Sequence, residues 1–436
     1  MKSTELALLG GKPVRNKPFA SHPVMGREER AEVLSVLKTG LLSGFIAKAG
    51  ETFLGGPKVR ELEALFSRYF GSKFAVAMNS ATSALHAALL AVGVEPGDEV
   101  LVTPYSMCAS ATSIVMCGGI PVFVDIEPET FCIDPSKMEA RITKKTKAIV
   151  VVHLFGHPAD MKPILSIAKK HSLKIIEDCA QAPAAKYHGR FAGTIGDIGI
   201  FSLNQHKTIT TGEGGVALTD DKKLALKLQL IRNHGEVIID DMPEAKGMAC
   251  IGWNYRMTDT EAAIGIAQFK KLNKLTDHRV RLAKALTQKL KKIKEFDLPS
   301  IKKDCTHVYF VYPIRYDERK TGIPRKLFVR AMDAEGVPLG AGYVRPIYWE
   351  RMYRERRIYE RSSFPFDLQS GKNLDNYKRG SCPTTEHFHE KGLLTTNLCR
   401  YPLSETDMQD IATAVKKVLG QKDALLKYGK TKTKNN

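Results

Sequence analysis

The chain is short of most of the features that classify a protein at sight. It has two tryptophans in 436 residues, and its eight cysteines, at 108, 117, 132, 179, 250, 305, 382 and 399, form no CxxC pair. That spacing supports neither a zinc knuckle nor a thioredoxin-like dithiol. Single thiols in apolar or small-residue settings fit a reducing compartment. No apolar run is long enough to span a bilayer, the longest being of the order of Ala87–Val94 and Ala148–Val152. There is no GxGxxG after a strand, no Walker phosphate loop and no HExxH. The opening MKSTELALLGGKPVRNKP has no sustained apolar stretch after Lys2 and does not read as an export signal. A cytoplasmic location is therefore expected.

Acid is the minority charge, with 47 Asp and Glu against 66 Lys and Arg, a formal +19. The excess lies in a helix-like stretch from Lys270 to Lys294, an arginine cluster (Arg351, Arg354, Arg356, Arg357, Arg361) and a lysine-rich tail. It reads as a solvated basic surface with some attraction for anions. A nucleic-acid binder would also need a recognition motif, and none is found. Neither nucleic acid nor a membrane is expected as a partner. A content of 43% hydrophobic and 26% charged residues excludes a mostly disordered chain.

From about residue 74 to 270, short apolar runs alternate with helical periodicity. Strands are predicted at 74–78, 99–103, 122–125, 147–153, 174–177, 198–203 and 216–219, and helices at 82–92, 161–171 and 221–233. Strands alternating with helices predict a mostly parallel sheet of seven strands between helices, an α/β fold whose ligands collect at the carboxyl ends of strands. After about 275 the pattern changes: a long basic helix, a β-like run at 308–315, a helix at 324–335 and a closing helix at 407–419. This predicts an arm over 1–40, a large domain over 41–275, a smaller α+β domain over 276–427 with an insertion near 345–395, and a polar, disordered tail from 428.

Three segments carry chemistry. Lys207 follows the strand at 198–203 and precedes Gly212-Glu213-Gly214-Gly215; a lysine in a partly desolvated loop can act as an imine-forming nucleophile. Alone it would equally be a surface lysine beside a turn. Asp178 ends a hydrophobic strand, where a carboxylate can hold a pyridinium nitrogen protonated; it would equally cap a helix. Asn79-Ser80-Ala81-Thr82-Ser83 opens a helix and presents N–H groups and hydroxyls suited to a phosphate.

Together and in this order, these segments resemble the DegT/DnrJ/EryC1/StrS aminotransferases, the sugar aminotransferase branch of fold-type I pyridoxal phosphate enzymes. The resemblance runs from about Gly10 to Leu419, with support from Pro96–Val100, Pro121–Asp125, Thr146–Ile149, Val152–Met161, Arg232–Gly235 and Asn254–Asp259. It implies pyridoxal 5'-phosphate as cofactor and Lys207 as both its aldimine partner and the catalytic base. Asp178 would pair with the pyridine nitrogen and Gln181 would lie beside the ring. Ser202, Ala81 and Thr82 would hold the phosphate. Asn254 would reach the cofactor of a neighbouring subunit, making a homodimer the functional unit. Donor and acceptor would be glutamate or glutamine and a keto-sugar, often nucleotide-linked, or a keto-cyclitol. His153, His206, Tyr343 and Arg345 are candidate substrate contacts.

Relatives usually carry Gly at the position of Ala81, and an aromatic that stacks on the ring at the position of Met107. Relatives with His in place of the lysine dehydrate sugars; Lys207 favours transamination over that dehydratase or lyase alternative, and over a non-catalytic anion binder. His153 and His157 are separated by Gly156 and followed by Pro158, which breaks the helix a metal pair would use. No metal is expected.

Overall fold

The computed structural model describes residues 5–23 and 25–433. Seven strands form the large sheet: β1 Phe74–Met78, β2 Glu99–Val102, β3 Ile120–Phe123, β4 Thr146–Val152, β5 Lys174–Asp178, β6 Ile198–Ser202 and β7 Gly215–Thr219. Their order is β1-β7-β6-β5-β4-β2-β3. Pairing is parallel from β3 through β6, and β7 runs antiparallel to both of its neighbours. Buried runs such as Ala148–Val152 explain why the strands are so apolar: helices cover both faces.

The flanking helices include α1 Arg27–Thr39, α2 Pro57–Phe70, α3 Ala81–Ala91, α4 Ala109–Met116, α5 Met161–His171, α6 Lys222–Arg232, α7 Asp259–Phe269 and α8 Leu272–Leu290. Ser80 caps α3, accepting from Ser83 N at 3.0 Å. A capping box between Thr258 and Glu261 starts α7. A second, four-stranded sheet joins Phe296–Asp297, Tyr312–Tyr316, Leu393–Thr396 and Gly340–Ala341, all antiparallel. With α8 and the helices Arg325–Ala334 and Glu405–Gly420 it encloses its own core, which includes Leu286, Tyr312, Phe328 and Val415.

The structure departs from the sequence expectations at four places. The β-like run at 308–315 becomes a strand only from Tyr312. Val308 N and Val311 N donate to Gly156 O and Phe155 O instead, and Tyr309 has φ 51°. The tail expected to be disordered from 428 is helical as far as Thr433, because Leu425 is buried and the Arg330 guanidinium lies 5.4 Å over the Tyr428 ring; 434–436 lie outside the described residues. The arm over 1–40 contains α1, which is tied to α7 and to the residue capping α8 through Glu29, bonded to Gln268 and Lys271.

The fourth departure concerns the segment near 345–395, expected within the smaller domain. Much of it packs on the edge of the large sheet. Tyr348, Tyr353 and Tyr377 ring Phe123 of edge strand β3, with centroids 5.6, 5.6 and 5.7 Å away. Asn376 accepts from Phe123 N and donates to Phe123 O, and Tyr377 OH donates to Pro121 O. The open edge of β3 is thereby paired without another strand. Asn376→Leu leaves both Phe123 backbone groups buried without partners. It should cost about 2–4 kcal/mol, read as a lower denaturation midpoint in urea.

Candidate active site

The site is built at the carboxyl ends of β5 and β6 and the start of α3. Successive residues of a strand face opposite sides of the sheet, so Glu177 and Asp178 at the end of β5 are sent to different environments. Glu177 is fully buried. It accepts from His153 Nε2 at 2.8 Å, Gly193 N at 2.9 Å, and Ile195 N and Gly196 N at 2.7 Å each. Burial would raise its pKa, but these donors outweigh burial and hold it below the ordinary carboxylate value.

Asp178 is buried on the other face. Its Oδ2 accepts from Ser110 Oγ at 2.8 Å and its Oδ1 from Ala180 N at 3.1 Å. Ser110 lies on α4, in contact with Ser106 at 3.2 Å. The negative charge of Asp178 acts on two further groups, the Lys207 amine and the Tyr343 hydroxyl. Lys207 Nζ sits 4.8 Å from the centroid of the Phe310 ring. Burial lowers its pKa below the ordinary lysine value, and the Asp178 charge opposes that shift. The result is a desolvated amine facing a carboxylate.

Gln181 is buried beside them, accepting from Phe155 N at 2.9 Å and donating to Tyr343 OH at 3.0 Å. Burial pushes the Tyr343 hydroxyl up to about 12, the bond from Gln181 opposes this, and Asp178 adds to it. Tyr343 N in turn donates to Tyr105 OH, and Tyr105 is fully buried.

At the other side of the site, Gly215 opens β7 directly opposite Ser202. A Cβ on Gly215 would lie 2.5 Å from Ala81 N, so glycine is what lets β7 approach the first turn of α3. The first N–H groups of that turn, on Ala81 and Thr82, have no intrahelical acceptor. Asn254 is exposed next to this turn; its carbonyl accepts from Asn79 Nδ2 at 3.4 Å.

Lys207, Asp178, Gln181 and Tyr343 are therefore brought together, with Ser202, Ala81 and Thr82 grouped at the Gly215 contact. Met107 is 59% exposed and, with Arg345, lines a cavity of about 500 Å³. His206 is exposed and its backbone bonds Asn204 Oδ1. His153 is corrected: it is fully buried, Ala159 N donates to its Nδ1 at 3.0 Å, and Nε2–H is given to Glu177. It has no ring nitrogen left for a substrate. His153, Glu177 and Cys179 lie within 4.8 Å of one another, as metal ligands would. The donor atoms of His153 and Glu177 are engaged by the chain itself, and burial raises the Cys179 thiol well above its ordinary value. Sequence reasoning missed Ser110, Phe310 and His22, whose Nε2–H donates to Lys207 O at 3.1 Å. No local motif marks any of the three.

The sequence model of the DegT/DnrJ/EryC1/StrS aminotransferase family matches residues 45–370. The chain belongs to that family. Among the relatives, GDP-perosamine synthase of Caulobacter vibrioides is 39% identical over 316 residues, 72% of this chain and 81% of that one. Spore coat polysaccharide biosynthesis protein SpsC of Bacillus subtilis is 33% identical over 92% of this chain and 96% of its own. The solved structure of an aminotransferase from Psychrobacter cryohalolentis is 30% identical, with a TM-score of 0.80, covering 93% of this chain and 99% of that one. The fold is that of the fold-type I aminotransferases, as the seven-stranded sheet and small second sheet require.

Because the Asp178 charge raises the Lys207 pKa, its removal must lower that pKa further and enlarge the neutral fraction at a given pH. In cofactor-free protein, Asp178→Asn should shift the pH midpoint of Lys207 acetylation by acetic anhydride downward, as followed by peptide mass spectrometry.

Proposed function

We propose that the protein is a pyridoxal-phosphate-dependent aminotransferase that moves an amino group from glutamate or glutamine to a keto-sugar. Nucleotide-linked keto-sugars come first among the acceptors and keto-cyclitols second. The observation that carries this reading is the pairing of a desolvated Lys207 amine with the Asp178 carboxylate in one crevice. Membership of an aminotransferase family and the 39% identity to a GDP-perosamine synthase support it.

The residues present fit the cofactor. The Gly215 contact leaves a cradle at the first turn of α3 that a Cβ would fill, and Ala81 N, Thr82 N and Ser202 Oγ would hold the phosphate there. Asp178 would hold a proton at the ring nitrogen, with Ser110 and Ala180 N–H fixing its orientation. The bound cofactor supplies an electron sink for the charge left when a substrate C–H proton departs. Lys207 Nζ would anchor the cofactor and then move that proton. Tyr343 is held by Gln181, and an acceptor sugar would enter through the cavity that Met107 and Arg345 line. Lys207 in place of histidine favours nitrogen transfer over dehydration.

A homodimer is part of this reading. Leu34, Leu37, Leu41, Leu42 and Ile46 are all 49–55% exposed, and Ile251 and Trp253 stand out beside Asn254. An apolar surface of this extent fits burial against a second copy.

The purified protein should be yellow, and borohydride should fix the cofactor mass on Lys207. Lys207→Ala should lower nitrogen transfer roughly 10²–10⁴-fold; a variant that still transfers nitrogen at the normal rate refutes the assignment. The acceptor is found by loading the enzyme with amine and screening keto-sugars and keto-cyclitols for loss of the aminated cofactor spectrum.

If Asn254 serves the partner's site, Lys207→Ala and Asn254→Ala are each inactive, yet a mixed dimer keeps one intact site. Mixing them under exchange conditions should restore about a quarter of wild-type activity, measured as amine transferred per subunit.

A further inference from the structure

One buried carboxylate outside the active site is only half bonded. Glu99 opens β2 and is 1% exposed. Its Oε2 accepts from Thr143 Oγ1 at 2.6 Å, Asn373 Nδ2 at 3.1 Å and Thr146 Oγ1 at 3.5 Å. All three donors are neutral, and Glu99 has no ion pair among the described residues. Its Oε1 is buried with no hydrogen-bond partner there. Asp125, Asp259 and Glu335 are buried too, but each has both carboxylate oxygens bonded.

Two amide oxygens beside Glu99 are in the same condition. Asn373 and Gln369 are 0% and 6% exposed, and Asn373 Oδ1 and Gln369 Oε1 are buried without a donor. Asn373 joins the three side chains. Its Nδ2 donates to Glu99 Oε2 and, at 2.9 Å, to Arg141 O; its main-chain oxygen accepts from Gln369 Nε2 at 2.9 Å. Each unbonded oxygen shares a carbon with an atom of this bonded chain. Exchanging the oxygen and nitrogen of either amide gives no relief. The Asn373 oxygen would then face Glu99 Oε2 and Arg141 O, and the Gln369 oxygen would face Asn373 O. Single unbonded atoms occur elsewhere, as at Nε of Arg232 and Arg325, on groups whose other nitrogens are bonded. Here three acceptors, one of them charged, are gathered without a donor.

We propose that Glu99 Oε1, Asn373 Oδ1 and Gln369 Oε1 bind a monovalent alkali cation, potassium or sodium. Hard cations take oxygen ligands, and a buried charge is normally paired or bound to a metal. One carboxylate with two neutral amide oxygens balances a single positive charge, whereas a divalent ion would leave an excess buried. A proton on Glu99 would serve one amide oxygen and strand the other. A water would donate to two of the three oxygens and leave the charge unpaired. Gln369 and Asn373 belong to the segment whose Tyr353 and Tyr377 pack on Phe123, and Tyr353 also lines the cavity of Met107 and Arg345. The cation fastens that segment to β2, and it does so whether or not the protein transfers nitrogen.

The test is the thermal midpoint of the full-length protein in potassium, sodium and choline chloride at matched ionic strength, with calcium chloride as a further arm. Potassium or sodium should raise the midpoint over choline by at least about 2 °C, saturably. Glu99→Gln removes the charge and supplies an N–H to a neighbouring amide oxygen, so it should abolish the difference. Glu139→Gln, at an exposed acid, should retain it. Gln369→Leu, which deletes one ligand, should shift the cation titration at least about tenfold to higher concentration. If Glu99→Gln shows no cooperative transition, the Gln369→Leu titration decides. Equal midpoints of the wild type in all three monovalent salts overturn the proposal, leaving a water or a proton at the site. So does an alkali-cation response that persists in Glu99→Gln or is unchanged in Gln369→Leu. Stabilisation by calcium alone overturns the monovalent assignment.

Discussion

The site depends on how one strand ends. β5 finishes with two consecutive carboxylates, and the pleat sends them to opposite faces of the sheet. Glu177 is locked into the interior by His153 and three backbone N–H groups. That anchor sets the register of the strand end and leaves Asp178 on the face where Ser110, Lys207 and Tyr343 converge. A slip of one residue would exchange the two acids and place the site carboxylate in the core.

Around that fixed carboxylate, the chain balances desolvation against charge. Burial lowers the Lys207 pKa, and the Asp178 charge opposes that shift. The same carboxylate and the same burial act together on Tyr343, which stays a neutral hydroxyl. Close backbone approach completes the site: at Gly215 the chain has no side chain because β7 and the first turn of α3 leave no room for one. The aromatic segment around Tyr348–Tyr377 contributes indirectly. It closes the open edge at β3 and so holds the sheet that carries the site.

The strands were legible because they are buried on both faces and read as continuous apolar runs; all seven fall within two residues of their expected bounds. The long segment near 345–395 was not, since its burial comes from scattered tyrosines and asparagine side chains without a period. Lys207 and Asp178 were legible because each lies at or just past the end of a strand that could be recognised. Ser110 and His22 were not: they reach Asp178 and Lys207 across 68 and 185 residues of chain. His153 was misread for a related reason. A histidine after a strand looks available until the fold spends both of its ring nitrogens.

Composition, strand periodicity and the order of three short segments determined the class of fold, the family and the pair of residues proposed to carry the chemistry. These are local properties, written in the spacing of apolar residues and in the side chains at the carboxyl end of each strand. Tertiary structure alone decided which acid acts on the lysine and in which direction burial shifts its amine. Those outcomes depend on distance and dielectric between groups far apart in the chain, and a linear pattern carries neither.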